Sequence, residues 1–300
     1  MEPSPYCKQL VLPHGISFNF ILSLLILVGI LASYLPQHVR IIRLRSSFGI
    51  SPYFVLLGTT SGTSSFANIL TLPKSARDVA CCREISGLSC FSGLLGIFQV
   101  GTQCLSFYVI LLLFVVFFPR DPAAAAATSD PLPRKQATYR TAIGVAIVCV
   151  VHALAVIITS IIVAATQPNH LQAWANFLGI MSATLASIQY FPQIYTTFRL
   201  QRVGSLSIPM MCIQTPGSLV WAASLAARLG TEGWSTWGVY VLTAILQGTL
   251  LMMAVYFEYL GPKKDIISTI PPSDDGEVSS EGRNGSASER TPLLADQQNQ

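Results

Sequence analysis

The sequence predicts an all-α membrane protein with seven transmembrane helices, arranged as two parallel three-helix bundles joined by a linker helix (3+1+3). Charged residues are only 11% of the 300 residues, and hydrophobic residues are 51%. Mean hydropathy is +0.54. A soluble domain carries about 25% charged residues, so this composition excludes an ordinary cytosolic enzyme, a disordered chain and a nucleic-acid-binding protein. The third observation is a short motif that recurs in two triplets of apolar segments.

Seven segments are long and apolar enough to cross a bilayer, which takes about 20 residues. They are residues 17–35, 50–70, 88–118, 141–165, 173–195, 205–227 and 236–260. The second segment is the weakest, because it contains the run GTTSGTSSFANIL. Small and hydroxylic residues suit a helix that packs tightly on its neighbours or lines a cavity. The third is longer than one span, so we expect part of it to tilt or to lie in the interface.

These segments divide the chain into six parts. They are a luminal N-terminus (1–16), a first repeat (17–118), a cytosolic connector (119–140), a linker helix (141–165), a second repeat (173–260) and a disordered cytosolic tail (261–300). The orientation follows from the positive residues, which collect on the cytosolic side of a membrane. With seven spans, 13 of the 18 Lys and Arg residues fall on the side of the C-terminus. The sequence therefore predicts a luminal N-terminus and a cytosolic C-terminus.

A four-residue motif supports the internal repeat. Tyr34-Leu35-Pro36-Gln37 recurs 156 residues later as Tyr190-Phe191-Pro192-Gln193, and each copy is followed by Arg-Leu at the same spacing. We expect each Pro-Gln to end the first helix of a three-helix unit. An odd linker span lets both copies cross the membrane in the same direction.

Pro-Gln at this place has a physical meaning of its own. Proline removes a backbone donor and bends or breaks a helix. In a bilayer the freed carbonyl needs a partner, which a neighbouring glutamine amide can supply. We therefore interpret Pro36, Gln37, Pro192 and Gln193 as a hinge; the alternative is a plain helix cap at the membrane edge.

The doubled aromatic-x-Pro-Gln motif, the following Arg-Leu and the 3+1+3 layout resemble the PQ-loop repeat family over about residues 17–260. That family includes cystinosin, the vacuolar and lysosomal cationic amino-acid exporters and, more distantly, the SWEET sugar transporters. The resemblance implies that the four hinge residues move during alternating access. It implies transport of a small polar solute, for example an amino acid, across the vacuolar or lysosomal membrane. The alternative is a non-transporting regulator or scaffold of endomembrane trafficking or lipid asymmetry.

Candidate substrate-binding residues are neutral, because none of the 14 acidic residues lies in the middle of a span. Proton-coupled members of the family carry an aspartate there, so this sequence departs from their pattern. The candidates are Asn68, Gln99, Gln103, Gln214, Trp221 and Gln247. Amides suit an uncharged or neutral polar solute; the alternative role is hydrogen bonding between helices. Gln103 and Gln247 are favoured because they lie in the third helices of the two repeats.

No catalytic motif, metal site or cofactor motif is present, so we expect a protein that is not an enzyme. The seven cysteines lack zinc or redox-motif spacing, and we interpret them as small apolar residues in helices. In the tail, Glu289, Leu293 and Leu294 fit an acidic dileucine signal, which an adaptor complex reads when it sorts cargo to endosomes, lysosomes or vacuoles. The expected partners are thus a small polar solute, the bilayer and an adaptor complex; a homo-oligomer is left open.

Overall fold

The computed structural model describes residues 4–8, 18–47, 50–118, 139–200 and 208–260, and all regular structure in these ranges is helical. Its α-helices are α1 (Pro5–Lys8), α2 (Phe18–Leu44), α3 (Pro52–Thr71), α4 (Pro73–Cys81), α5 (Gly87–Val116), α6 (Tyr139–Thr166), α7 (Leu171–Leu200), α8 (Ile208–Leu229) and α9 (Trp234–Val255). Short 3₁₀ turns precede α7 (Pro168–His170) and α9 (Thr231–Gly233), and a π-helical turn (Tyr256–Leu260) follows α9. Most of the predicted connector and the whole tail with Glu289, Leu293 and Leu294 lie outside the described residues.

Seven of these helices have 20 or more residues, which gives each a length of about 30 Å or more. Five of them, α2, α5, α6, α7 and α9, are also apolar enough to cross a membrane. The chain is therefore a multi-pass, all-α membrane protein. The two long helices outside this set, α3 and α8, are richer in small and polar residues.

Local sequence explains several helix ends at the membrane edge. Proline occupies the first position of both α3 and α4, where its missing N–H costs nothing. Leu72 between them has an extended backbone (φ −61°, ψ 128°), as expected for a residue before proline. The Ser86 side chain accepts a hydrogen bond from the Ser89 N–H and so caps α5.

The long helices pack as two groups of three. In the first group α5 packs against both α2 and α3; in the second α9 packs against both α7 and α8. Between the groups, α3 packs extensively on α7, and α2 makes a smaller contact with α8. The remaining long helix, α6, packs mainly on α3 of the first group. In each group the third helix thus lies between the first two.

Helix α3 lies at the centre of these contacts, and 11 of its 20 residues are buried. Its buried hydroxyls donate to carbonyls of their own helix, as Thr60 does to Leu56 (2.8 Å) and Ser64 to Thr60 (2.8 Å). A Cβ at Gly58 would overlap the Phe107 ring of α5. The small residues of this segment therefore serve tight packing, the first of the two roles that the sequence predicts.

Four cysteines form two disulfides, Cys7–Cys81 and Cys82–Cys90. The interpretation of the cysteines as unpaired apolar helix residues is wrong for these four. The spacing of the cysteines in the sequence did not indicate these bonds, because the first bridge joins α1 to α4 across 74 residues. Both bridges lie where α4 joins α3 to α5, and we call this end of the helices the disulfide end. The opposite end, which carries Pro36 and Pro192, is the motif end.

Candidate functional site

Three apolar clusters are present in the described part of the chain, and one of them is shared by the two groups. The shared cluster contains Ile30, Ile69, Val100, Trp221 and Leu225, which come from α2, α3, α5 and α8. At the motif end each group instead has a cluster of its own. Val55, Ile110 and Phe114 pack with α6, and Met211, Leu250 and Ala254 pack within the second group.

Hydrogen bonds between the groups begin near the middle of α3. Ser61 donates to the backbone carbonyl of Ser182 in α7 (3.0 Å), and Ser182 donates to that of Ser61 (2.9 Å). Such reciprocal bonds need closely spaced backbones, which the small residues on both helices permit. This pair joins the groups without any charged side chain.

Asn68, a predicted substrate-binding residue, is fully buried one turn before the end of α3. Its Nδ2 donates to the Ala175 carbonyl (2.6 Å) and to the Ser235 hydroxyl (3.0 Å), and its Oδ1 accepts from Thr236. One amide therefore joins α3, α7 and α9. Since its donors and its acceptor are all engaged, Asn68 is an interhelical tie in this conformation.

Gln99 and Trp221, two further candidates, lie together across the interface. Gln99 is fully buried on α5, donates to the Ser23 carbonyl of α2 (2.8 Å) and accepts from the indole N–H of Trp221 on α8 (3.0 Å). The Trp221 ring in turn packs on Tyr240 with a centroid distance of 4.0 Å. The structure thus brings these two candidates into one cluster.

Gln103 belongs to the same cluster through Tyr240. The Tyr240 hydroxyl donates to Gln103 Oε1 (3.0 Å) and lies 3.2 Å from the Ser65 hydroxyl of α3. Tyr34, from the first motif, also has its hydroxyl next to the Gln103 amide. We call the set Ser65, Gln99, Gln103, Trp221 and Tyr240 the central cluster. Tyr240 and Ser65 were missed by sequence reasoning, because nothing marks an isolated Tyr or Ser within an apolar segment as functional.

Gln214 and Gln247 form a separate pair. Gln247 Nε2 donates to Gln214 Oε1 (2.8 Å), and this bond joins α9 to α8 inside the second group. Gln103 and Gln247 lie in the third helices of the two groups, as expected, but Gln103 bonds across the interface and Gln247 bonds within its own group. On the motif side of the first group, His38 likewise bonds within its group, to the Ser106 carbonyl (3.1 Å).

Arg228 adds a charged tie at the disulfide end. Its guanidinium donates from α8 to the Ser92 carbonyl of α5 (2.7 Å) and to the Ser23 hydroxyl of α2 (2.6 Å). Its position directly after the predicted span 205–227 could have marked it as a residue that contacts neighbouring helices. Together with Asn68 and Gln99, it concentrates the hydrogen bonds between the groups in the middle and at the disulfide end.

The Pro-Gln motifs lie inside their helices. Pro36 and Pro192 each precede the last residue of the helix by eight positions, because α2 continues to Leu44 and α7 to Leu200. The prediction that each motif ends its helix is therefore wrong, and so is the alternative of a plain cap. About two further turns follow each proline. Within the described part of the chain, no hydrogen bond joins the Gln37 amide to another residue, so the predicted repair of the freed carbonyl is not seen there.

At the central cluster the available chemistry is that of neutral donors, neutral acceptors and aromatic rings. In the described ranges no three His, Cys, Asp or Glu side chains lie close enough together to hold a metal ion. The central cluster can bind a polar molecule only by exchanging its own hydrogen bonds for bonds to that molecule.

Comparison with known proteins gives two matches. A family model described as the PQ loop repeat matches residues 18–76 and 174–231, and each stretch holds one of the two motifs. An uncharacterized protein of Schizosaccharomyces pombe is 36% identical over 253 residues, which cover 82% of this chain and 82% of that protein.

Proposed function

Because this chain belongs to the PQ-loop repeat family, we propose that it transports a small polar solute, such as an amino acid, across the vacuolar or lysosomal membrane. The proposed architecture has seven spans, with α2, α3 and α5 as one bundle, α7, α8 and α9 as a second parallel bundle, and α6 as the linker. The reciprocal contacts of α3 with α7 and of α2 with α8 support this arrangement, since two parallel repeats around one axis would produce them.

The observation that carries the transport proposal is the distribution of apolar clusters along the interface. Near the disulfide end the bundles share one core, whereas at the motif end each has a core of its own. Two bodies joined at one end and separately packed at the other can rock about the joined region without breaking either core. This conformation is thus the state that is closed at the disulfide end, and a solute would pass by way of the central cluster.

The hinge assignment of Pro36, Gln37, Pro192 and Gln193 belongs to this proposal. A proline inside a helix removes one backbone hydrogen bond and makes that turn the easiest one to bend. Both prolines lie at the same distance from the ends of equivalent helices, α2 and α7. Bending at both would move the motif ends of the two bundles while the disulfide end stayed packed.

The proposed orientation places the disulfide end in the lumen and the motif end in the cytosol. The excess of Lys and Arg near the motif end supports it. The disulfides support it independently, because such bonds persist in oxidising compartments and are rare in the cytosol. Adaptor recognition of Glu289, Leu293 and Leu294 in a cytosolic tail fits the same sidedness.

The test is an uptake screen with the purified full chain in proteoliposomes, using radiolabelled neutral amino acids and sugars. We expect saturable accumulation of at least one solute, and we expect Pro36→Leu or Pro192→Leu to abolish it. The control is Pro168→Ala, which changes an exposed proline in the turn before α7. Flux that survives both motif substitutions would contradict the hinge assignment.

A second candidate function is regulation or scaffolding of endomembrane trafficking or lipid asymmetry without net transport. The absence of acidic residues from the middle of every predicted span favours it, because a proton-driven carrier needs a group there that exchanges its proton. No accumulation of any solute, together with recovery of a specific partner through the cytosolic face, would support this function over transport.

A further inference from the structure

A cavity of about 720 Å³ opens at the disulfide end, away from the central cluster. It lies between α4, which follows the first bundle's second helix, and the segments that begin α7 and α9. Its lining residues are Pro73, Arg77, Gln172, Asn176, Thr231, Glu232 and Trp234. The volume is in the range of small-molecule sites, which are about 300–1,000 Å³.

One cation and one anion in the lining of this cavity form an ion pair. Arg77 Nη2 lies 3.5 Å from Glu232 Oε2, and the two side chains are 55% and 59% exposed. An exposed pair at this distance contributes little to stability. A ligand that offers each side chain an opposite charge can therefore replace the pair at small cost. A ligand with one charge would leave the other side chain unpaired or be repelled by it.

Neighbouring contacts support the Arg77 side chain and the backbone at Glu232. The Arg77 guanidinium lies over the Tyr6 ring, 5.3 Å from its centroid, and the Cys7–Cys81 disulfide fixes the segment that carries this ring to α4. On the other wall, Gln172 Nε2 donates to the Glu232 carbonyl (2.9 Å) and to Asn176 Oδ1 (3.2 Å). The Arg77 guanidinium is therefore supported directly, and the turn that carries Glu232 is fixed to α7 through its backbone.

We propose that this cavity binds a zwitterion, whose anionic group pairs with Arg77 and whose ammonium group pairs with Glu232. The guanidinium can hold a carboxylate or phosphate with two parallel hydrogen bonds. Trp234, which is 46% exposed, offers an apolar wall to the rest of the ligand. A free amino acid and the headgroup of a zwitterionic lipid share this chemistry. This site extends the proposed function by naming the charge class of the solute. Binding itself does not depend on transport; only the later passage of the ligand across the membrane rests on the proposed function.

The experiment is isothermal titration calorimetry on the full chain in detergent micelles, where no transport takes place. The probes are L-leucine, leucine amide (cation only), N-acetyl-leucine (anion only) and glycerophosphoethanolamine as a soluble headgroup. We expect a zwitterion to bind at least about tenfold more tightly than either single-charge analogue, a difference of one power of ten in Kd. Tighter binding of leucine identifies a free amino acid as the ligand, and tighter binding of glycerophosphoethanolamine identifies a lipid headgroup.

Two substitutions and one control complete the test. Arg77→Gln and Glu232→Gln should each weaken zwitterion binding about tenfold or more, whereas Arg83→Gln, an exposed arginine outside the cavity lining, should leave it unchanged. The exchange Arg77→Glu with Glu232→Arg keeps both charges, so it should retain zwitterion binding and guards against loss of folding in the single variants.

The zwitterion site would be overturned if neither leucine nor glycerophosphoethanolamine bound more tightly than the single-charge analogues, or if Arg77→Gln and Glu232→Gln had no effect on binding. This outcome is distinct from failure of the transport proposal. Zwitterion binding without flux in proteoliposomes would overturn transport alone. Loss of the binding preference with flux intact would overturn the cavity alone.

Discussion

Replacing Asn68 with alanine tests the conclusion that this amide ties three helices together. The substitution removes three hydrogen bonds, to Ala175, Ser235 and Thr236. Side-chain hydrogen bonds inside membrane proteins contribute about 0.6 kcal/mol each on average, and a buried polar group left without a partner adds about 1–3 kcal/mol. The expected loss of unfolding free energy is thus about 3 kcal/mol or more.

The assay is thermal unfolding of the purified chain in detergent. A loss of about 3 kcal/mol corresponds to a fall in Tm of roughly 6–12 °C for a protein of this size. The matched control is Asn176→Ala, since Asn176 is half-buried and accepts a hydrogen bond from Gln172 alone; its Tm should fall by less than about 2 °C. Thr236→Val combined with Asn68→Ala should lower Tm by less than the sum of the single changes, because both remove the same bond. Equal shifts for the two asparagine variants would refute the reasoning.

Three further predictions concern the disulfide end and the packing of the second bundle. Replacing both Cys7 and Cys81 with serine should lower stability by about 2–4 kcal/mol, because the bridge closes a long loop in the unfolded chain; reductant should then lower Tm less in the variant than in the wild type. Burial raises the pKa of Asp78, so its stabilising proton is fully bound below about pH 4 and stability falls as pH rises through the folded-state pKa. Asp78→Asn should flatten this fall in Tm as pH rises above about 4. Gly179→Ala should lower Tm, because its Cβ would overlap a backbone carbonyl of α9, whereas Gly238→Ala, with open space around it, should not.

Much of the helical architecture could be predicted from the sequence, because apolar length and the repeated motif are local signals. The course of α2 beyond Pro36 could not be predicted in this way. A proline removes one hydrogen bond, but whether the helix ends or continues depends on what packs around the next two turns. The same applies to α7 and Pro192. The motif therefore locates a proline in each helix but not the helix end.

The sequence predicted which types of residue form the candidate site, but it did not predict which residues bond to each other. Amides in apolar segments marked Gln99 and Gln103, since buried polar groups must find partners. The partners themselves, Trp221 for one and Tyr240 for the other, depend on how the two bundles meet. The Cys7–Cys81 bridge was hidden for the same reason, because only the folded chain brings α1 to α4.

The polar character of α3 has a consequence for biogenesis. In the proposed arrangement this helix is shielded by α5, α6 and α7, all of which follow it in the chain. Its Gly, Ser and Thr residues give it too little apolar surface to partition stably into lipid by itself. We therefore expect α3 to insert stably into the bilayer only after the later helices have been synthesised. Insertion of this protein is thus coupled to its tertiary assembly, and a ribosome halted before α7 would leave α3 without its most extensive neighbour.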